Sequence, residues 1–195
     1  MAIGRPREFD LDKALDAALK VFWRKGYEGA TLPDLTKAMG INRPSLYAAF
    51  GNKEALFRLA IDRYIDGPGS HVALALAAKT AREVVEELWR GSIELTTSSR
   101  NPRGCFLVQT ALACGNEAAP VRRELTKRRS RLETLLAERF KQAIAAGDLP
   151  AKTNPRDLAC YVTTVSHGMA VQAAGGATRQ ELTRVAELAL RAWPK

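Results

Sequence analysis

The stretch from Gly40 to Lys53 reads GINRPSLYAAFGNK and places a basic residue at the start of each of two short helices. Asn42 and Asn52 are good helix N-caps, because an asparagine side chain accepts hydrogen bonds from backbone amides of the first turn. Arg43 follows the first cap and Lys53 the second. A positive side chain in the first turn opposes the helix dipole at a cost of about 0.3–1 kcal/mol. An anion held at both helix starts would compensate this cost.

Helical periodicity dominates the residues around this stretch, and it predicts four helices in residues 10–66. The predicted N-caps are Asp10, Thr31, Asn42 and Asn52, and the predicted ends of the first three helices are Gly26, Gly40 and Gly51. The second and third of these, at about 31–50, form a helix-turn-helix. In that motif the second helix enters the major groove of DNA, so the anion at the helix starts is predicted to be DNA phosphate.

Three side chains of this region suit contacts with DNA. Arg43 can reach a phosphate or a guanine edge, and Lys53 can reach a phosphate. Tyr47 offers its ring to a thymine methyl group or a sugar and its hydroxyl to a phosphate. On spacing alone, a helical hairpin with ordinary exposed side chains remains an equal alternative.

The stretch from Ala14 to Tyr64 resembles the DNA-binding domain of the TetR/AcrR family of bacterial transcriptional regulators. The most specific segments are AMGINRPSLYAAF and NKEALF. The resemblance implies about nine helices, a C-terminal ligand pocket, a two-fold dimer and a pseudo-palindromic operator. The family's DNA-contact positions correspond to Thr31, Arg43, Pro44, Ser45, Tyr47 and Lys53, and the basic lead-in GRPREFD, which resembles one branch of the family, adds Arg5.

Pro44 departs from the small residue that is frequent at its position in the family, which bears on base preference. The expected protein is therefore an all-α transcriptional regulator, most readily a repressor that a small-molecule effector releases from DNA. The alternative is an architectural DNA-binding protein that needs no ligand and has little sequence preference.

The composition is compatible with both alternatives. The chain has 195 residues, 46% of them hydrophobic, and a net charge of +9. The pI of about 9.8 fits a nucleic-acid binder, although solvated basic faces give similar values. The odd cysteine count, the lack of metal-type spacing and the absence of a signal sequence predict a cytoplasmic protein with reduced thiols. No cofactor, metal site or catalytic motif is expected.

The break Gly67-Pro68-Gly69 divides the chain into a predicted DNA-binding domain at 1–66 and a ligand-binding and dimerisation domain at 67–195. Further helices are expected near 80–98, 105–114, 119–146, 155–174 and 178–193. The charge-free segment 158–178 approaches the length of a membrane span, but its polar residues and glycines favour a helix buried in protein. The basic run from Val121 to Arg131 is expected to form a solvated helix face.

The last two helices carry more apolar surface than a single core needs, which predicts a four-helix dimer interface with two helices from each subunit. Its expected residues are Leu158, Val162, Val165, Met169, Leu182, Val185 and Ala189. A large monomeric core is the alternative.

Cys105 follows Gly104 at a predicted helix start, near Arg100 and Arg103. Cations and a helix N-terminus both favour a thiolate, which is the form that electrophiles attack. The Gly-Cys pair also resembles a branch of the family that includes electrophile-sensing repressors. The alternative is an inert, buried core cysteine.

Overall fold

The computed structural model describes residues 9–112 and 118–194, which form ten α-helices and no strands. The all-α prediction is confirmed. The helices are α1 Leu11–Gly29, α2 Leu32–Met39, α3 Arg43–Phe50, α4 Lys53–Asp66, α5 His71–Leu76, α6 Ala81–Thr97, α7 Phe106–Leu112, α8 Ala119–Ala145, α9 Pro155–Ala174 and α10 Arg179–Leu190.

Side-chain caps start the first four helices where the sequence predicts them. The Asp10 carboxylate accepts from backbone amides of α1, and the Thr31 hydroxyl accepts from the Asp34 amide of α2. The Asn42 and Asn52 side chains each accept a 2.8 Å hydrogen bond from a backbone amide three residues on. Gly26, with φ 69°, interrupts α1 at its predicted end, and a last turn follows it to Gly29.

A first hydrophobic core joins α1 to α4 and continues into the rest of the chain. Phe22 and Phe57 pack edge-to-face with ring centroids 5.0 Å apart. Phe106, at the start of α7, is fully buried against Phe57, with centroids 5.5 Å apart. The Trp23 indole nitrogen also donates a 3.1 Å hydrogen bond to the Gly104 carbonyl. The helical break does fall at residues 67–69, but packing crosses it, so the N-terminal helices rest directly on α7.

A second core lies among α6, α8, α9 and α10. Trp89 and Phe140 are its largest fully buried side chains, and the Trp89 indole donates to the Val162 carbonyl at 3.2 Å. Helix α9, which has no Asp, Glu, Lys or Arg after Asp157, packs between α8 and α6 and contacts α10. In the described residues, none of the helices combines the length and hydropathy that crossing a membrane requires.

Candidate DNA interface and effector cavity

The turn between α2 and α3 exposes one face of α3. Gly40 ends α2 in the left-handed conformation with φ 68°. Leu46 and Phe50 then point into the core. The opposite face carries Arg43 and Tyr47, the latter 46% exposed. With no acidic residue in the first turn of α3, this face is suited to an anionic partner.

Three further predicted contact residues lie beside this face. Pro44 is exposed in the first turn of α3, and Ser45 is half-buried. Thr31 is exposed, but its hydroxyl already donates to the Asp34 carboxylate at 2.7 Å. The pKa of Asp34 falls to about 2 because Lys25 and Thr31 both hydrogen-bond the ionised form. Arg5 lies outside the described residues.

Lys53 is held against α1 and does not extend freely from α4. Its ammonium nitrogen lies 4.6 Å from the centroid of the Tyr27 ring, and burial lowers its pKa. The first turn of α4 also contains Glu54, which pairs with Arg58 at 2.7 Å. The first turn of α3 therefore carries a positive charge with no acidic residue beside it, whereas in the first turn of α4 Glu54 offsets the charge of Lys53.

A cavity of about 570 Å³ lies between the two cores. Its walls come from α4, α5, α6, the segment around α7, α8 and α9. Apolar lining side chains include Ile65, Leu76, Leu88, Leu95, Val108 and Leu132, and polar ones include His71, Ser92, Thr96, Arg129, Ser166 and His167. The sequence predicts a ligand pocket only through the family resemblance, because these residues are scattered from α4 to α9.

Cys105 lines this cavity and is half-buried. The Tyr64 hydroxyl donates a hydrogen bond to its Sγ at 3.3 Å. Burial, and then the thiol beside it, raise the pKa of Tyr64 well above its usual value. Of the two cations expected near the thiol, Arg103 donates a hydrogen bond from its guanidinium to the Ala177 carbonyl at 2.8 Å.

The two histidines of the chain, His71 and His167, both line the cavity. His71 Nε2 is hydrogen-bonded to Ser92 Oγ at 3.1 Å. Burial lowers the pKa of His71, while burial and the charge of Arg129 lower the pKa of His167. Burial therefore favours the neutral form of both rings. Within residues 9–112 and 118–194, no group of three potential metal ligands is present.

The predicted interface residues divide into two sets. Leu158, Val162, Met169 and Leu182 are buried inside one protomer, so they support the surface of α9 and α10 from below. Val165 and Ala189 are half-buried, and Val185 is 46% exposed. These three line an open groove between α9 and α10, together with Gly168, Gln172 and Leu188. The apolar stripes of both helices thus serve the protomer core as well as the surface.

Together, an exposed helix of a helix-turn-helix and a ligand-sized cavity between two helical cores define a one-component DNA-binding regulator. Residues 14–60 match the family model described as bacterial regulatory proteins, tetR family. Residues 81–189 match the one described as tetracyclin repressor-like, C-terminal domain. The chain belongs to the TetR family of DNA-binding transcriptional regulators.

Relatives match over the whole chain and over the DNA-binding part. The HTH-type transcriptional repressor ComR of Escherichia coli K12 is 35% identical over 194 residues, covering 98% of this chain and 92% of ComR. The repressor BdcR of the same strain is 44% identical over 62 residues, or 32% of each chain. A cysteine mutant of the TetR family regulator CifR, solved with 26-base-pair operator DNA, is 47% identical. Its TM-score is 0.94, with 97% of this chain and 100% of that chain covered.

Proposed function

We propose that this chain represses transcription by binding a pseudo-palindromic operator as a homodimer, and that a small molecule in the cavity releases it. The observation that carries this proposal is the double role of α4. Phe57 and Ile61 of α4 belong to the core that supports the helix-turn-helix, while Tyr64 and Ile65 line the cavity. A ligand that changes the packing of α4 would therefore change the position of α3.

An ion pair next to the cavity supports the same coupling. Arg128 of α8 lies 2.8 Å from Asp62 of α4 and 2.7 Å from Glu124 of its own helix. Both Arg128 and Asp62 line the cavity. A ligand can shift the equilibrium between two domain positions only by binding one of them more tightly. The Arg128–Asp62 ion pair holds α4 in one position, so a ligand that breaks or keeps this pair would bind the two positions with different affinity.

On DNA, we expect α3 to enter the major groove with Arg43 and Tyr47 towards the bases and sugars, beside Pro44 and Ser45. Thr31 and Lys53 would contact phosphates on either side, and Arg5 would reach DNA from the N-terminal segment. The operator complex of the CifR mutant supports this role for a chain with the same fold. The exposed, acid-free first turn of α3 supports it independently.

The occupant we propose for the groove between α9 and α10 is a second copy of this chain. Val171 is 45% exposed, Val185 46% and Leu188 61%. Burying such side chains against a symmetric copy would be favourable by about 25 cal/mol per Å² of apolar area. A two-fold dimer would also present two copies of α3 to the two halves of an operator.

A second way of occupying the cavity is covalent. Cys105 lines the cavity, and its sulfur accepts a hydrogen bond from the Tyr64 hydroxyl. This hydrogen bond would also stabilise the thiolate, which is the form that attacks an electrophile bound in the cavity. The alternative remains that the thiol is inert and every effector binds without a covalent bond.

We further propose that the role is regulatory, with no catalysis, and that the protein acts in the cytoplasm. The ligand-sized cavity beside α4 favours a ligand-responsive regulator over an architectural DNA-binding protein.

The test is a titration of the protein onto labelled DNA from upstream of its own gene and onto shuffled DNA of equal length. We expect affinities that differ by at least about 10³-fold at physiological salt. Equal affinities would instead indicate an architectural protein. A thermal-shift screen, followed by a DNA-release assay on the hits, then identifies effectors.

A further inference from the structure

One cation that lines the cavity, Arg129, is half-buried. The Nε of Arg129 is buried and has no hydrogen-bond partner. In the described part of the chain, no carboxylate forms an ion pair with Arg129. Arg128, by contrast, is paired with Asp62 and Glu124. A half-buried guanidinium with a buried N–H donor that lacks a partner is suited to an anion that arrives from outside.

Two consecutive residues of α9, Ser166 and His167, also line the cavity. The Ser166 hydroxyl is buried without a hydrogen-bond partner. His167 lines the cavity and lies within the electrostatic reach of Arg129. A neutral imidazole and a hydroxyl can each donate one hydrogen bond to an oxygen. Arg129 is the charged member of this group, so the group suits one negative charge rather than two.

Much of the rest of the cavity wall is apolar, although it also includes the Asp62–Arg128 ion pair and His71. Leu88 and Leu95 of α6 and Val108 of α7 are buried side chains that line the cavity. Leu132 of α8 and Ala170 of α9 also line it, each about one helical turn after a polar lining residue. Ligand pockets typically combine such walls with a few polar groups that fix the orientation of the ligand.

We propose that the effector is an amphiphilic monocarboxylate whose carboxylate binds Arg129, with Ser166 and His167 beside it, and whose apolar body fills the cavity. A guanidinium presents parallel N–H donors that match a carboxylate, which favours this head group. This inference rests on the proposed effector site and adds the chemistry of its ligand.

The experiment measures binding of octanoate, decanoate and dodecanoate to the full chain by isothermal titration calorimetry, with the matching uncharged amides as references. We expect at least one carboxylate to bind about tenfold or more tightly than its amide. Arg129→Gln should remove this preference and leave amide binding unchanged. Arg131→Gln is the matched control, because Arg131 lines the same cavity but is exposed, and it should keep the preference.

Thermal unfolding of each variant accompanies the titrations. Removing an uncompensated charge should not lower the melting temperature of Arg129→Gln, and Arg129→Lys should keep part of the preference for the carboxylate. Carboxylates that bind no better than amides, no binding by any probe, or an unchanged preference in Arg129→Gln would overturn the inference.

Operator affinity is measured in parallel to separate the two proposals. Specific DNA binding without a carboxylate preference overturns only the ligand chemistry. A carboxylate that binds through Arg129 but leaves DNA affinity unchanged overturns only effector-controlled release.

Discussion

The Tyr64 hydroxyl donates a hydrogen bond to Cys105 Sγ across 3.3 Å, and this contact joins the end of α4 to the segment before α7. Directly beside it, Phe106 packs on Tyr64 with ring centroids 5.5 Å apart, and Gly104 accepts from the Trp23 indole. Cys105 therefore occupies the junction between the helices that carry the DNA-binding face and those that enclose the cavity. A group attached to its sulfur would disturb the hydrogen bond from Tyr64 and with it this junction.

The first prediction follows from that junction. Treatment with N-ethylmaleimide should release operator DNA from the wild-type protein and leave Cys105→Ser bound, because only the former carries the thiol at the junction. The test is fluorescence anisotropy with labelled operator, and mass spectrometry counts the modified thiols.

Cys160→Ser is the matched control, because Cys160 is an exposed thiol on α9. This variant should release DNA as the wild type does. If alkylation leaves operator affinity unchanged, or acts equally on Cys105→Ser, the thiol is structural and the effector binds without a covalent bond.

The second prediction concerns Arg43. If its exposed guanidinium contacts a base edge, Arg43→Ala should weaken operator binding by about 1–3 kcal/mol and relax the preference for one base pair in each half-site. Lys141→Ala removes an exposed charge from α8 and should change neither quantity. Operator affinity and base preference equal to those of the wild type would exclude Arg43 as a base contact.

The third prediction separates Lys53 from Arg43. A phosphate contact carries no sequence information, so Lys53→Ala should weaken binding to operator and shuffled DNA alike. The slope of log affinity against log salt should also fall by about one. The unfolding free energy is measured as well, since the loss of the stacking on Tyr27 costs about 0.5–1 kcal/mol. A variant with an unchanged salt slope would show that Lys53 has only a structural role.

The fourth prediction tests the dimer. Val185→Glu places a charge in the groove between α9 and α10 and should convert dimers to monomers, as measured by light scattering. Because Val185 is 46% exposed in the protomer, the variant should still fold. Val165→Glu, at a half-buried position of the same groove, should dissociate the dimer or unfold the protein.

Thr183→Glu introduces the same charge at an exposed position of α10 outside that groove, and it should remain dimeric. A soluble, dimeric Val165→Glu/Val185→Glu double variant would place the interface elsewhere.

Local rules predict the DNA-binding end of the molecule well. The caps at Asn42 and Asn52 and the turn at Gly40 depend on residues within a few positions of one another, so the sequence alone indicates them. The core residues Leu46 and Phe50 follow from helical periodicity in the same way.

The same local rules do not predict contacts between segments that are distant in the sequence. Nothing in the residues around Lys53 indicates that it lies over Tyr27, and nothing around Cys105 indicates the hydroxyl of Tyr64. The apolar stripes of α9 and α10 were ambiguous for a different reason. Val162 faces the protomer core and Val185 faces outward, but both are valines, so the residue type does not show which side each one takes.

Two copies of α3, related by two-fold symmetry, are expected to read one operator, and hydroxyl-radical footprinting on the DNA upstream of the gene measures this. We expect two symmetric protected half-sites whose centres lie about one helical turn apart, or some 34–36 Å. A single protected half-site, or uniform protection without boundaries on every DNA tested, would contradict it.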